Sequence, residues 1–304
     1  MTDICALGEL LIDFTPAGVS EAGMQLFERN PGGAPANVAA AGARLGLKTA
    51  FIGKIGGDGH GRFLRSALMK EGVDLRGLTV DPEVCTTLAF VELDASGERG
   101  FTFVRRGCGD TMLRAEEVDA ELIRSSRILH LGTLSLTDEP SRGALYRAVE
   151  IAEKAGVPVS CDLNWRPPLW PDSAAFVRES EKLLKHVSLL KATQEEAALI
   201  TGENDCKKAA AVLKDRFGIG TAAITLGEKG AYSDGVMCPA FPTEAVDTTG
   251  AGDCFWAAML YDILSGSGLG LRFACAAAAL CVSRRGAIPS MPGLDEVMRF
   301  MSAG

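Results

Sequence analysis

The sequence predicts an α/β fold in which a mostly parallel central sheet carries helices on both faces. Short apolar, β-rich runs alternate with helical patterns along most of the 304 residues, and this alternation is typical of βαβ units. The hydrophobic content of 47% is enough for a large buried core. One segment, residues 86–106, breaks the alternation with two alternating strands around the turn-rich stretch DASGE, which predicts a β-hairpin.

Six apolar runs are the predicted strands of the central sheet. They are residues 4–10, 49–55, 127–132, 157–163, 188–192 and 221–227. Helical patterns lie between them, and one of these, EPSRGALYRAVEIAEKAG, predicts a helix that Asp138 caps and Gly156 ends. The hairpin at 86–106 and the region of about 13–30 are expected to form a small β-lid inserted into the α/β body.

Composition excludes several classes of function. The net charge of −8 argues against binding to nucleic acids or anionic membrane surfaces, and the longest apolar stretch, residues 273–282, is too short to span a bilayer. Nine scattered cysteines without a CxxC pair indicate free thiols in a reducing cytoplasm. Three histidines without an HExxH motif make a protein-held zinc ion improbable.

Residues 250–253, GAGD, precede an apolar, helix-prone run. Glycines let backbone N–H groups converge at a helix N terminus, where free donors and the helix dipole favour an anion such as a phosphoryl group. A carboxylate at Asp253 could then take the proton of an attacking hydroxyl. A bare GxGD is also typical of a glycine turn with a helix-capping aspartate. The motif alone leaves both interpretations open.

Three ordered segments resemble signatures of the ribokinase-like (PfkB-type) carbohydrate kinases. They are NPGGAPANVAAAGARLGLKTAFIGKIGGDGHG at 30–61, TLGEKGA at 225–231 and DTTGAGD at 247–253. The resemblance covers nearly the whole chain and implies one kinase domain over residues 1–304 with a three-layer ribokinase-like fold. It also implies ATP-dependent phosphorylation of the primary hydroxyl of a sugar.

The resemblance implies roles for individual residues. Asp253 would be the general base, and the backbone of Gly250, Ala251 and Gly252 would form the anion hole. A carboxylate and an amide offer several donors and acceptors to a polyol, and the residues that match the family's sugar-holding elements are Asp13, Gly32, Gly33 and Asn37. The residues that match its nucleotide-contacting turn are Thr225, Gly227 and Gly230.

The family's metal and adenine elements match with two departures. The NxxE element aligns with TQEE, so that Thr193 replaces the usual Asn and Glu196 would organise Mg²⁺ through water. Cys275 stands where the family often has an Asn near adenine. In many members a loop encloses a monovalent cation, and the residues that would supply oxygens to K⁺ here are Asp247, Thr249 and Ser290. The implied cofactors are therefore ATP, Mg²⁺ and K⁺.

Two further segments resemble elements of bacterial and plant fructokinases within the family. They are CDLNWRPPLW at 161–170 and FTFVRRGCGD at 101–110. Arg166 and Arg105 would project cations toward the triphosphate and the sugar, and Asn164 is assigned to the nucleotide site. The flap segment has Val104 and Gly109 in place of the more usual Tyr and Ala. The predicted reaction converts D-fructose to D-fructose 6-phosphate.

Other functions stay open at this point. Kinases of 2-keto-3-deoxygluconate, ribose or a nucleoside share the same signatures. A non-catalytic sugar or nucleotide sensor is disfavoured because a binder does not need the intact GAGD, and a nicotinamide dehydrogenase is disfavoured because GxGxxG is missing. The expected partners are a small-molecule sugar, ATP and a second copy in a homodimer, with no nucleic acid and no membrane.

Overall fold

The computed structural model describes residues 1–93 and 99–303. Its strands are β1 (Thr2–Leu7), β2 (Leu11–Val19), β3 (Gln25–Gly32), β4 (Thr49–Gly56), β5 (Leu78–Asp81), β6 (Leu88–Leu93), β7 (Arg99–Val104), β8 (Ser126–Gly132), β9 (Val159–Asp162), β10 (Leu189–Thr193), β11 (Thr221–Thr225), β12 (Ala231–Ser233) and β13 (Val236–Cys238). Its helices are α1 (Ala34–Arg44), α2 (Gly59–Lys70), α3 (Ala120–Arg124), α4 (Ser141–Ala155), α5 (Ser173–Leu184), α6 (Gln194–Thr201), α7 (Cys206–Phe217), α8 (Ala251–Ser265), α9 (Gly270–Val282) and α10 (Leu294–Ala303).

Nine strands form the larger sheet, in the order β13-β12-β11-β10-β9-β8-β1-β4-β5. Seven neighbouring strands of this sheet are parallel to one another, namely β5, β4, β1, β8, β9, β10 and β11. The strands β12 and β13 run antiparallel at one edge. All six predicted strands lie in this sheet, and they are β1, β4, β8, β9, β10 and β11. After β1, the strands β4 and β5 are added on one side of it, and β8 to β13 are added on the other side. The strand order therefore reverses between β1 and β8. Ligands of open α/β sheets bind beyond the carboxyl ends of the strands at such a point.

Helices cover both faces of the larger sheet and give the three layers that the sequence predicts. Successive side chains of a strand point to opposite faces, and β1 illustrates the result. Cys5 and Leu7 pack into one core cluster with helices α3 to α7, whereas Ile4 and Ala6 pack into another with α1, α2, α8, α9 and α10. Within the described residues, no helix combines the length and hydropathy needed to cross a membrane.

Four strands form the small sheet, in the order β3-β2-β6-β7. The β2–β3 and β6–β7 pairs are antiparallel, and β2 and β6 pair in parallel. The hairpin predicted at 86–106 and the lid region predicted at about 13–30 therefore lie in one sheet, separate from the larger one. The predicted turn DASGE, residues 94–98, lies outside the described residues. Phe14 stacks on Phe90 with ring centroids 4.9 Å apart, and Phe27 meets both rings edge-on.

One predicted helix boundary is confirmed and the other is wrong. Helix α4 ends at Gly156, which adopts the left-handed conformation with φ 69°, as a C-terminal glycine should. Its N-cap, however, is Pro140, and no side chain caps this end. The Asp138 carboxylate instead accepts hydrogen bonds from Arg105 and Thr137. The local sequence assigns Asp138 to the cap, but its carboxylate pairs with Arg105, which lies 33 residues earlier in the chain.

Candidate active site

A cavity of about 1200 Å³ lies at the carboxyl edge of the larger sheet. The segments that follow β1, β9, β10 and β11 line it, together with the N-terminal turns of α1 and α8. The small sheet contributes Gly100 and Phe103 from β7. The cavity thus occupies the position expected from the reversal of strand order, and the small sheet borders its opening.

The N-terminal turn of α8 carries the GAGD motif. Gly250 is the N-cap, with φ 78°, and no side chain caps the helix. A Cβ at position 250 would lie 3.0 Å from the Cβ of Ala287, so both conformation and space favour glycine. The N–H of Ala251 donates to the Thr248 carbonyl at 3.3 Å. This turn therefore offers the cavity a helix N terminus of the kind that binds anions.

Asp253 lies in this first turn and is buried. The Nδ2 atom of Asn37 donates a hydrogen bond of 2.8 Å to its Oδ2, although 216 residues separate the two in sequence. Burial raises the pKa of the Asp253 carboxyl, and the Asn37 hydrogen bond, followed by the positive charges of Lys191 and Arg166, opposes that rise. The buried Oδ1 of Asn37 has no hydrogen-bond partner among the described residues.

Asp13 of β2 also lines the cavity, and the pKa of its carboxyl is shifted in the same direction as that of Asp253. Burial raises its pKa to about 7, the Arg166 charge lowers it, and the charges of Asp253 and Asp247 add to the rise. Gly32 has no room for a side chain, because a Cβ there would overlap the Asp13 carboxylate. Gly33 has φ 107°, and a Cβ there would overlap the Glu9 carbonyl. The glycine pair lets the backbone pass tightly against two acidic residues.

Another part of the cavity is lined by the end of β11, the turn that follows it, and α9. Thr225 ends β11, and Gly227 and Gly230 follow it in a short turn. Cys275 lines the cavity from α9, and burial, followed by the neighbouring Cys238, raises the pKa of its thiol to about 12. Cys275 is therefore a neutral, weakly polar group.

Glu196 lies on the cavity wall at the start of α6. Its Oε1 accepts a hydrogen bond of 2.8 Å from the N–H of Trp165, and its Oε2 accepts one of 2.7 Å from the N–H of Thr193. The Thr193 hydroxyl in turn accepts from the N–H of Glu196, so the two residues form a capping box. Asn164, with φ 42°, adjoins this site. Carboxylate oxygens held in this way retain lone pairs for a hydrated divalent cation.

Oxygen atoms that could coordinate a cation also lie beside the loop between α9 and α10, on Asp247, Thr249 and Ser290. Asp247 Oδ1 accepts from the N–H and hydroxyl of Thr249 at 2.9 and 2.7 Å, and Oδ2 accepts from the N–H of Gly286 at 3.0 Å. The thiol of Cys281 contacts both the Thr249 carbonyl, at 3.8 Å, and the Ser290 hydroxyl, at 3.0 Å. Hard oxygen donors of this kind suit an alkali or alkaline-earth cation.

Comparison with known proteins identifies the family. A family model described as pfkB family carbohydrate kinase matches residues 1–294. Fructokinase-2 of Solanum lycopersicum is 38% identical over 316 residues, which cover 99% of this chain and 96% of the plant protein. Fructokinase-1 of Zea mays is 39% identical over 313 residues, which cover 98% and 97%. The chain belongs to the pfkB family of carbohydrate kinases.

Solved structures extend this result to the fold. A fructokinase from Xylella fastidiosa with bound ATP superposes with a TM-score of 0.89 at 30% identity, covering 99% of this chain and 98% of that one. A fructokinase from Vibrio cholerae with fructose, ADP and calcium gives 0.89 at 29%, covering 99% of each. A putative ribokinase II from E. coli with ATP and Mg²⁺ gives 0.91 at 26%, covering 100% of each. The predicted ribokinase-like fold is confirmed.

The structure of this kinase brings most of the predicted site residues to the cavity. Those that line it are Asp13, Gly33, Asn37, Asn164, Arg166, Thr193, Glu196, Thr225, Gly227, Gly230, Thr249, Gly250, Ala251, Gly252, Asp253 and Cys275. Three predicted residues do not line the cavity. Gly32 and Asp247 adjoin the lining residues Asp13 and Thr249, and Ser290 contacts Cys281. Their predicted roles in binding and catalysis stay predictions.

Arg105 is placed differently from the prediction. Its side chain is 5% exposed, and its guanidinium donates to Asp110 at 2.7 Å, Thr137 at 2.6 Å and Asp138 at 3.1 Å. It also donates to the Leu134 carbonyl at 2.9 Å. Leu134 lines the cavity, whereas Arg105 does not. In this structure Arg105 ties the hairpin to the segment beside the cavity and does not project into it.

The sequence patterns did not identify three charged residues of the site. Lys191 and Glu9 line the cavity, and Asp162 lies directly behind Lys191. All three are buried. A lysine inside the apolar run SLLKA and a glutamate just after the first strand were the available signals, because charged residues are seldom fully buried without a partner.

Proposed function

We propose that this kinase transfers the γ-phosphoryl group of ATP to the primary hydroxyl at C6 of D-fructose and yields D-fructose 6-phosphate. The observation that carries the proposal is the hydrogen bond between Asn37 and Asp253. It joins the signature segments 30–61 and 247–253 in one buried contact, at a helix N terminus that faces a large cavity. The relatives named fructokinase match nearly the full chain, and this supports fructose as the acceptor.

The chemistry assigned to the residues is that of a general base beside an anion site. Asp253 accepts the proton of the attacking hydroxyl, and Asn37 fixes the orientation of its carboxylate. The N terminus of α8 and the Arg166 guanidinium stabilise the charge of the transferring group. Asp13 and Asn37 hold sugar hydroxyls. The small sheet acts as a lid that excludes water, a competing phosphoryl acceptor.

The oxygen donors of the site fit the expected cations. The Glu196 carboxylate suits a hydrated Mg²⁺, and the oxygens of Asp247, Thr249 and Ser290 suit K⁺. When bound, Mg²⁺ supplies charge neutralisation at the phosphates. Thr225, Gly227, Gly230, Asn164 and Thr193 contact the nucleotide, and Cys275 packs against adenine without a directed hydrogen bond.

A panel of acceptors tests the choice of sugar. With ATP and Mg²⁺, the ratio kcat/KM is expected to be highest for D-fructose among fructose, ribose, glucose, 2-keto-3-deoxygluconate and a nucleoside. The measurement is ADP release in a coupled assay, with each sugar omitted as the blank. A higher kcat/KM for another acceptor would reject fructose but keep the family assignment. No ADP release with any of the acceptors would favour a sensor over an enzyme.

Arg166→Lys is expected to lower kcat/KM for fructose by at least about tenfold, the equivalent of one charge-assisted hydrogen bond. A point ammonium keeps the charge but cannot reproduce the planar fork on phosphate or sugar oxygens. Arg178→Lys is the matched control, because Arg178 is largely exposed on α5. Equal kinetics for the two variants would show that Arg166 is a solvated surface group.

We also infer the wider setting of the enzyme. Residues 1–304 form one kinase domain with the small sheet as its lid. A homodimer is supported by the exposed apolar side chains of the small sheet, Val19, Leu26, Phe27 and Val104.

All nine cysteines are free thiols and eight are buried, which supports a reducing, cytoplasmic location.

A further inference from the structure

A buried ion pair lies beneath the candidate active site. Lys191 on β10 and Asp162 on β9 are direct partners in the parallel register. The Lys191 ammonium donates to both carboxylate oxygens of Asp162 at 3.0 Å. Lys191 is 5% exposed and Asp162 is 0% exposed. Lys191 nevertheless lines the cavity, so the pair has one end in the core and the other at the site.

The Lys191 ammonium lies directly against the turn that carries Asp253. A Cβ at position 252 would stand 2.9 Å from Lys191 Nζ and 3.5 Å from its Cε. A side chain at position 252 would therefore require the ammonium to move. The charges are close enough to interact: Lys191 lowers the pKa of Asp253, and the Asp253 charge raises the pKa of Asp162.

Stability alone is a poor reason for this pair. The free-energy cost of removing two charges from water offsets most of their mutual attraction. Apolar residues of similar size often stabilise a core equally well. Both positions lie on interior strands of the larger sheet, where apolar residues pack readily. A function at the site explains the pair better than a contribution to folding.

We propose that Lys191, held in place by Asp162, is a positioning residue that keeps the buried Asp253 carboxylate ionised. The inference rests on the proposed function, in which Asp253 accepts a proton. Lys191 favours the anion, because it brings a positive charge to the turn. Asp162 partly cancels that charge and at the same time fixes the ammonium under Gly252. The two residues therefore act on Asp253 with opposite signs.

Other groups also face Asp253, and they are the same in every variant used below. They come from the strand β2, the segment after β9, the helices α1 and α9, and α8 itself, and they are Asp13, Arg166, Asn37, Cys281 and Cys254. Because these groups do not change, a difference between variants reports the charges at positions 162 and 191.

The test compares the pH dependence of kcat/KM for fructose in the wild type, Asp162→Asn and the double variant Asp162→Asn/Lys191→Met. Activity is expected to fall as pH drops through the pKa of Asp253. Asp162→Asn removes a negative charge, so its acid limb should move to lower pH. The double variant differs from it only by the charge at 191, and its limb should lie about one pH unit higher than that of Asp162→Asn, as for one neighbouring charge.

Lys54→Met is the matched control. Lys54 on β4 is also buried and paired, with Asp81 and Glu117, but it does not line the cavity. It should lower the melting temperature without moving the acid limb. Coincident limbs for Asp162→Asn and the double variant, or an equal shift in Lys54→Met, would overturn the proposal. If the double variant does not fold, the comparison of Asp162→Asn with the wild type decides, and a limb that stays or moves upward rejects it.

Failure of the proposed function would look different. A wild type without sugar-dependent ADP release would reject the kinase reaction itself. A wild type with a clear acid limb, but with variants whose limbs do not separate, would reject only the role of Lys191.

Discussion

Asp253→Asn should lower kcat by about 10² to 10⁴, the usual contribution of a general base. The amide keeps the size of the side chain and can still form a hydrogen bond with Asn37, but it cannot accept a proton at neutral pH. Gly250 is the N-cap of α8 and no side chain caps that helix. The variant should therefore keep near-normal stability, with affinities for sugar and ATP within several-fold of the wild type.

Steady-state kinetics, thermal melting and ligand titration on the same sample separate these effects. Asp58→Asn is a matched control, because Asp58 is the N-cap of α2 and accepts a hydrogen bond from the N–H of Gly61 at 2.7 Å. It should change stability more than turnover. A kcat within about threefold of the wild type for Asp253→Asn is too small a loss for a general base and would remove Asp253 from the mechanism.

Asp13→Ala and Asn37→Ala should each weaken the use of sugar far more than the use of ATP. Each leaves polar groups of a buried site unmatched, at roughly 1 to 3 kcal/mol per group, or about 5- to 150-fold in affinity. Asn37→Ala should also reduce kcat, because it removes the hydrogen bond to Asp253.

Sugar and ATP titrations of the two variants provide the measurement. Asp3→Ala is the control, since Asp3 lies at the start of β1, at the other end of the strand from the cavity. Its affinities should match those of the wild type. Unchanged sugar affinity in both Asp13→Ala and Asn37→Ala would place the acceptor pocket elsewhere.

Sequence patterns predicted the central sheet well because burial on both faces imposes continuous apolar runs on parallel strands. The small sheet was also predictable, since its strands alternate. The cap at Asp138 was not, because its carboxylate is bound by Arg105, 33 residues earlier in the chain. Local propensity gives way where a tertiary ion pair competes for the same side chain.

The site was predictable where residues belong to contiguous motifs. The turn at 250–253 and Asn37 were found in this way. Lys191 and Asp162 were not, because their pairing depends on β9 and β10 being neighbours, and their link to the site depends on the first turn of α8 lying against Lys191. Arg105 matched its motif, but the acidic partner Asp110 holds it away from the cavity. Motifs identify residue types, whereas strand order and competing partners decide where the side chains lie.

Identification of the product tests the central claim most directly. The purified protein is incubated with D-fructose, ATP and Mg²⁺, and the phosphorylated sugar is assigned by NMR while ADP is quantified. The account expects D-fructose 6-phosphate in a 1:1 ratio to ADP, a stoichiometry set by the transfer of one phosphoryl group. ADP formed without a phosphorylated sugar, or a phosphate on any other position of fructose, would contradict it.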